Sequence, residues 1–89
     1  MKKLINGKLY NTKKSIPIAS WDNGLEISDT QFSEETLCKT KTGEYIIYSK
    51  DVNGHDIREI TPKAAFEWLQ EHGLLAKADI DLMRVIDEA

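Results

Sequence analysis

Residues 36–50, TLCKTKTGEYIIYSK, carry the strongest β-hairpin signal in this 89-residue chain. Two extended runs flank residues 41–43, and the second run, residues 44–49, is the densest group of aromatic and β-branched residues in the sequence. Such residues favour strands, and Gly43 at the corner can adopt a positive φ, so the stretch predicts a β-hairpin. Because Ile46 and Ile47 are adjacent, both faces of the second strand carry apolar side chains, which predicts an interior position in the sheet.

A second hairpin is predicted at the beginning of the chain. The Asn-Gly pair at residues 6–7 accepts the positive φ values of a type I′ turn, and this turn places Leu4 opposite Leu9. The two leucines then share one face of the hairpin, and we expect them to join the core. The same register is expected to point three side chains outward: Lys3, Lys8 and Tyr10.

The segment between the two hairpins gives weaker signals. Pro17 cannot donate to a ladder, so a strand there must be short or lie at an edge. Trp21 is either a core anchor or an exposed contact, and the core is favoured because a small domain depends on burying large side chains. Residues 25–28 alternate in polarity and can form a short strand, whereas residues 33–35 are typical of a loop or a single helical turn.

The last third of the chain predicts one more strand and two helices. After the Asn-Gly turn at residues 53–54, residues 55–60 form the strand. Thr61 and Pro62 are a typical N-cap and first helical residue, and this helix ends at Gly73. A second helix is predicted from about residue 78 to residue 88 on its apolar periodicity.

These elements predict an α+β fold in a single domain, residues 1–89. Residues 1–61 form a small antiparallel β-sheet of hairpins with three to five strands, and residues 62–89 add two C-terminal α-helices packed on one face. A chain of this length cannot bury enough surface for two cores.

Charge is distributed unevenly along the chain. Residues 1–14 carry five lysines and no acid, and because the whole chain has a net charge of −3, the remaining residues sum to −8. An acidic body disfavours non-specific binding to nucleic acid, although the basic edge can still touch a phosphate backbone. The lone Cys38 cannot form an internal disulfide, and no apolar run is typical of a signal peptide or a membrane span, so we expect a cytoplasmic location.

The sequence contains no catalytic or metal-binding motif that we recognise. His55, His72 and Cys38 lie on three different predicted elements, and the acid pairs 34–35 and 87–88 are adjacent and do not converge on one site. Residues 51–56 have the early oxygen spacing of a calcium loop but too few ligands. We therefore expect neither enzymatic activity, nor a metal, nor a cofactor.

Three segments of the chain resemble a known family: INGKLYNT at residues 5–12, ETLCKTKTGEYIIYSKD at residues 35–51 and IREITPKAAFEWLQEHG at residues 57–73. They are similar to a family of small proteins from phages, plasmids and integrative elements, whose common form is approximately KKxINGKxYDT, LYxTKxGxxFLY and PLSxEEAxxWL. Proteins of this kind occur among accessory genes of mobile elements, including loci that encode anti-CRISPR inhibitors. The resemblance implies a non-enzymatic inhibitor that acts by occupation in the bacterial cytosol.

Effector complexes of such defence systems expose cationic grooves, into which a compact acidic domain can be steered to compete with phosphates. We therefore expect the partner, such as a CRISPR effector complex, to bind an acidic surface on the helical side. Its six residues are Glu67, Glu71, Asp79, Asp81, Asp87 and Glu88.

Two alternatives remain open at this point. The protein is a nucleic-acid-contacting accessory protein that uses its basic N-terminal hairpin, or it is a host-protein interaction module unrelated to defence. The basic and aromatic patch of the first alternative consists of Lys2, Lys3, Lys8, Tyr10, Lys13 and Lys14.

Overall fold

The computed structural model describes residues 1–79 and residue 82. The α+β class is confirmed, but the strands form a two-stranded and a four-stranded antiparallel sheet rather than one sheet of hairpins. The elements in chain order are β1 (Lys2–Ile5), β2 (Lys8–Asn11), β3 (Ile16–Asp22), β4 (Ser33–Lys39), β5 (Tyr45–Asp51), β6 (Gly54–Ile60) and α1 (Pro62–Glu71).

The larger sheet is a meander in the order β3-β4-β5-β6. The central hairpin has the predicted position of its turn, and Leu37 lies opposite Ile47 while Cys38 lies opposite Ile46. The interior position predicted for β5 is confirmed, because β4 and β6 pair with its two sides.

The adjacent isoleucines of β5 enter two different cores, one on each face of the sheet, although the length of the chain predicted a single core. Ile47 packs with Leu37, Trp68 and Leu69 on the face that α1 covers, whereas Ile46 packs on the opposite face with residues of the N-terminal hairpin. Both isoleucines are fully buried. The sheet is therefore covered on both faces, by α1 on one and by the β1–β2 hairpin on the other, and not on one face alone as the sequence predicted.

The N-terminal hairpin has the predicted register, but the prediction of its inner face was wrong. Asn6 and Gly7 take φ values of 50° and 81°, as a type I′ turn requires, and Leu4 lies opposite Leu9. Leu4 and Leu9 are nevertheless 68% and 64% exposed, whereas Tyr10 is only 3% exposed. Tyr10 faces inward instead, because its ring packs in a buried cluster and its hydroxyl donates to a Glu59 carboxylate oxygen at 2.7 Å.

Two predictions between β3 and β4 also need correction. The residues predicted as a short strand, 25–28, belong to an exposed loop, whose backbone bonds from Asp29 to Glu26 and from Phe32 to Asp29 close turns instead of a ladder. Residues 33–35, predicted as a loop or helical turn, begin β4, because β3 and β5 supply backbone partners on both sides. Trp21 is half-buried against the core on the α1 face.

Helix α1 begins and ends as its sequence predicts. The Thr61 hydroxyl accepts from the Ala64 amide at 3.1 Å, and Pro62 occupies the first turn. At the other end Gly73 has a φ of 69°, and the Leu74 amide donates to the Leu69 carbonyl at 2.7 Å, as in a Schellman motif.

A 3-10 turn at Leu75–Lys77 follows α1. The second predicted helix, residues 78–88, lies for the most part outside the described residues, although Leu82 is helical and fully buried in the core on the α1 face. Among the described residues, no helix has the length and apolar character that crossing a membrane requires.

Candidate interaction surfaces

Of the six acids predicted to form an acidic surface, two lie free on α1. Glu67 and Glu71 are exposed and one turn apart, so they share a face of the helix. Within the described part of the chain neither carboxylate has an ion pair or a hydrogen bond. Asp81, Asp87 and Glu88 lie outside the described residues.

Asp79 is engaged in contacts within the chain. Its carboxylate receives the Leu82 amide at 2.8 Å, the Tyr45 hydroxyl at 3.2 Å and the Lys39 ammonium at 3.4 Å. Burial opposes ionisation, but the Leu82 amide and Lys39 outweigh it and lower the pKa of Asp79. The side chain therefore ties the chain after α1 to strands β4 and β5, and it is less available to a partner than the two free acids of α1.

A hydrogen-bonded group behind α1 fixes the helix on the sheet. The Trp68 indole N–H donates to Glu35 Oε1 at 2.9 Å, and Arg58 Nη1 donates to Glu35 Oε2 at 3.0 Å. Burial of Glu35 works against its ionisation, yet these two donors lower its pKa. Glu35 was not among the predicted site residues, because residues 33–35 were predicted as a loop or a single helical turn. Its pairing with Trp21 on β3 and with Ser49 on β5 brings it under α1.

An aromatic group lies at the C-terminal end of α1. The His72 ring is stacked on Trp21 with centroids 4.5 Å apart, and it meets Trp68 edge-on at 4.7 Å. The contact joins α1 to edge strand β3 next to the exposed Glu71. It gives the acidic face of α1 a rigid aromatic border.

Three of the six residues of the predicted basic patch are engaged in contacts within the chain. Lys3 Nζ lies 2.5 Å from Asp56 Oδ1, Lys8 Nζ lies 2.9 Å from Glu44 Oε1, and the buried Tyr10 donates to Glu59. These bonds attach the hairpin to the larger sheet, and the bond to Glu59 raises the pKa of Tyr10 to about 12. The other three predicted members are exposed: Lys2, Lys13 and Lys14.

A cleft of about 430 Å³ separates strand β2 from the turn of the central hairpin. Lys8, Lys14 and Lys41 line it, together with Thr40 and Glu44. The Glu44 carboxylate accepts from the Thr40 hydroxyl at 2.5 Å and also from Thr42, and these bonds with that of Lys8 lower the pKa of Glu44 to about 2. Lys41 was predicted to point outward from the central hairpin but was not included in the basic patch, because its place beside the N-terminal hairpin depends on how the two sheets pack.

The groups with chemical reactivity do not form a reactive constellation among residues 1–79 and 82. Cys38 is buried, and burial raises the pKa of its thiol. His55 contacts the Tyr48 hydroxyl, while His72 contacts tryptophans. The described residues contain no group of three or more histidines, cysteines and acids that could hold a metal ion.

Comparison with known proteins adds no family to this geometry. No family model matches the sequence, and no curated protein or solved structure shows significant similarity to the chain.

Proposed function

We propose that this protein is a non-enzymatic inhibitor of the anti-CRISPR kind, which binds a bacterial CRISPR effector complex through the acidic face of α1 and blocks nucleic-acid binding or cleavage. The partner class rests on the resemblance of the sequence to accessory proteins of mobile elements. The choice of surface rests on the free carboxylates of Glu67 and Glu71.

The position of Glu71 is the observation that carries the choice of surface. It is the last residue of α1, where the partial negative charge of the helix dipole disfavours an acid by about 0.3–1 kcal/mol. The last turn of α1 contains no basic residue that would compensate. An exposed acid without a compensating base at this end does not stabilise the isolated fold. Its charge becomes favourable when a cationic partner approaches.

The acidic face is also held rigidly. The buried side of α1, formed by Ala65, Trp68 and Leu69, packs on the sheet, and Trp68 is fixed by its bond to Glu35. A face that is ordered before binding loses little conformational entropy on association. Its negative charge steers it to a groove that otherwise receives phosphates, so occupation of that groove is sufficient for inhibition.

The test measures nucleic-acid binding by purified CRISPR effector complexes of several types, with increasing amounts of the protein. The double variant E67K/E71K should inhibit at least about tenfold less well, because reversal of two interface charges replaces attraction with repulsion. E26K makes the same kind of charge change in the exposed loop between β3 and β4 and serves as the control. Equal inhibition by E67K/E71K and the wild type would show that the acidic face is not the interface.

Pull-down from bacterial lysate, with and without nuclease treatment, tests the partner class separately. A nuclease-resistant protein partner supports the inhibitor hypothesis. Loss of all captured material after nuclease treatment would contradict it.

The cleft beside β2 favours a second candidate, a nucleic-acid-contacting accessory protein. Lys14 and Lys41 lie in the same cleft as the side-chain hydroxyls of Ser15, Thr40 and Thr42, a composition suited to phosphate oxygens. The Glu44 carboxylate in the cleft weakens this candidate, since it already binds Lys8 and two of those hydroxyls.

Salt dependence of binding to bare DNA or RNA decides this candidate. If the cleft binds phosphates, K14A and K41A should each reduce the slope of log K against log salt by about 1. K63A removes an exposed lysine from α1 and should leave the slope unchanged. The absence of binding by the wild type at low salt would eliminate the candidate.

A further inference from the structure

The two edges of the larger sheet differ in a way that points to association. Edge strand β3 contains Pro17 and has a bulge between Pro17 and Ala19, both of which obstruct pairing with a further strand. Edge strand β6 pairs with β5 in one continuous register over all seven of its residues, without proline or bulge. Strand β6 therefore presents a regular edge, beside which β1 packs and which Lys3 reaches through its ion pair with Asp56.

A groove of about 860 Å³ lies beside the C-terminal half of β6. Residues 57–62 line it, together with residues 3–6 of the N-terminal hairpin and residues 43–45 of the central hairpin. Among the described residues, no backbone–backbone hydrogen bond outside the strand pairings engages either β1 or β6.

From the charge pattern of β6 we infer that a second copy of this chain pairs with this edge, β6 with β6 antiparallel, about a two-fold axis that passes between the two copies of Ile57. This register places Asp56 opposite Arg58 of the second copy, and His55 opposite its Glu59, twice each. The opposed Asp56 and Arg58 are then complementary in charge, and His55 can donate a hydrogen bond to Glu59; such pairs stabilise antiparallel strands. Cyclic dimers with a two-fold axis are the commonest protein oligomers.

Charge also excludes the neighbouring registers. Residues directly opposite one another in an antiparallel pair point to the same face of the sheet. A two-fold axis perpendicular to the sheet must therefore pass between the two copies of one residue. An axis through Asp56 opposes two aspartates, and an axis through Arg58 opposes two arginines; both arrangements are destabilising. Charges that served only to prevent another strand from pairing with β6 would not need to be complementary to a second copy of the same strand.

The bonds that these side chains already make leave room for the partner. Lys3 contacts only Oδ1 of Asp56, and Arg58 uses only Nη1 toward Glu35. Tyr10 donates to one oxygen of Glu59. Leu4 lies in the groove and is 68% exposed, and a strand seated there covers it. The arrangement continues the sheet from four strands into a shared sheet and gives the exposed leucine an apolar contact.

Sedimentation of the full chain at increasing concentration tests this inference. The wild type should show a monomer–dimer equilibrium, and D56K and R58E should each weaken it about tenfold or more, because each puts like charges opposite one another twice. An equimolar mixture of D56K and R58E should restore dimers. In the mixed dimer the lysine introduced at position 56 of one chain faces the glutamate introduced at position 58 of the other, and the unchanged Arg58 faces the unchanged Asp56. E26K should dimerise like the wild type.

Restoration by mixing tests this register specifically. Loss of the Lys3–Asp56 or Arg58–Glu35 contact within one chain could also weaken the dimer, but mixing cannot repair such a loss. H55E and E59K provide the same comparison on the other face of the sheet, should either first variant fail to fold by circular dichroism. A wild type that stays monomeric up to about 1 mM overturns the inference, and so does a mixture that remains as weak as its components. These outcomes involve no effector complex, so they do not depend on the proposed function.

Discussion

Tyr10 and Leu9 are adjacent on β2, and their truncation should have opposite consequences. Tyr10 is 3% exposed and packs with Cys38, Ile46 and Ile57, whereas Leu9 is 64% exposed. Truncation of a buried aromatic residue to alanine costs about 3–5 kcal/mol, and a surface substitution changes stability by no more than about 0.5 kcal/mol. We therefore expect Y10A to destabilise strongly and L9A to have almost no effect.

The expected loss is large against the total stability. At about 0.05–0.15 kcal/mol per residue, a chain of this length has a free energy of unfolding of roughly 4–13 kcal/mol, so Y10A removes about a quarter of it or more. Y10F is the milder variant. It keeps the ring but loses the bond to Glu59, which costs about 1.5 kcal/mol, at the lower end for a charged acceptor because Glu59 is exposed.

Urea unfolding at neutral pH, followed by fluorescence of Trp21 and Trp68, measures all three variants. Both tryptophans belong to the core on the α1 face, so a cooperative loss of their signal in Y10A also shows that the two cores unfold together. If L9A were more destabilising than Y10F, the hairpin would bury its leucine face, as the sequence pattern suggested, and the packing described here would be wrong.

Three further predictions concern other parts of the fold. T61A should lower stability by about 1 kcal/mol through loss of the helix cap, whereas T61S should retain it, as urea unfolding can show. The depressed pKa of Glu44 contributes stability that is fully present above pH 4.5, the usual pKa of the group, and is lost as the pH falls toward about 2. The urea midpoint should therefore decrease less over this acid range in E44Q than in the wild type. E35A should lower stability by about 1–3 kcal/mol, because it leaves the Trp68 N–H without its acceptor. E35Q keeps an acceptor oxygen and should lower stability less. An equal loss of stability in both variants would show that the charge toward Arg58 matters more than the bond to Trp68.

Features that depend on local backbone geometry could be predicted from the sequence. Asn6-Gly7 specifies a turn, Thr61-Pro62 specifies a helix start, and the adjacent isoleucines of β5 indicate an interior strand, because each follows from the allowed φ and ψ values or from side-chain alternation over a few residues. All three were confirmed.

Which face of each element is buried, and which charges remain free, depends on long-range contacts. The inner face of the N-terminal hairpin depends on contacts of Tyr10 with Glu59 and of Lys3 with Asp56, 49 and 53 residues away in sequence. The candidate acidic surface lost Asp79 for the same reason, since Lys39 and Tyr45 reach it from 40 and 34 residues away. Periodicity identifies the two faces of a strand, but their burial is a competition among long-range partners, which no local pattern of residues contains.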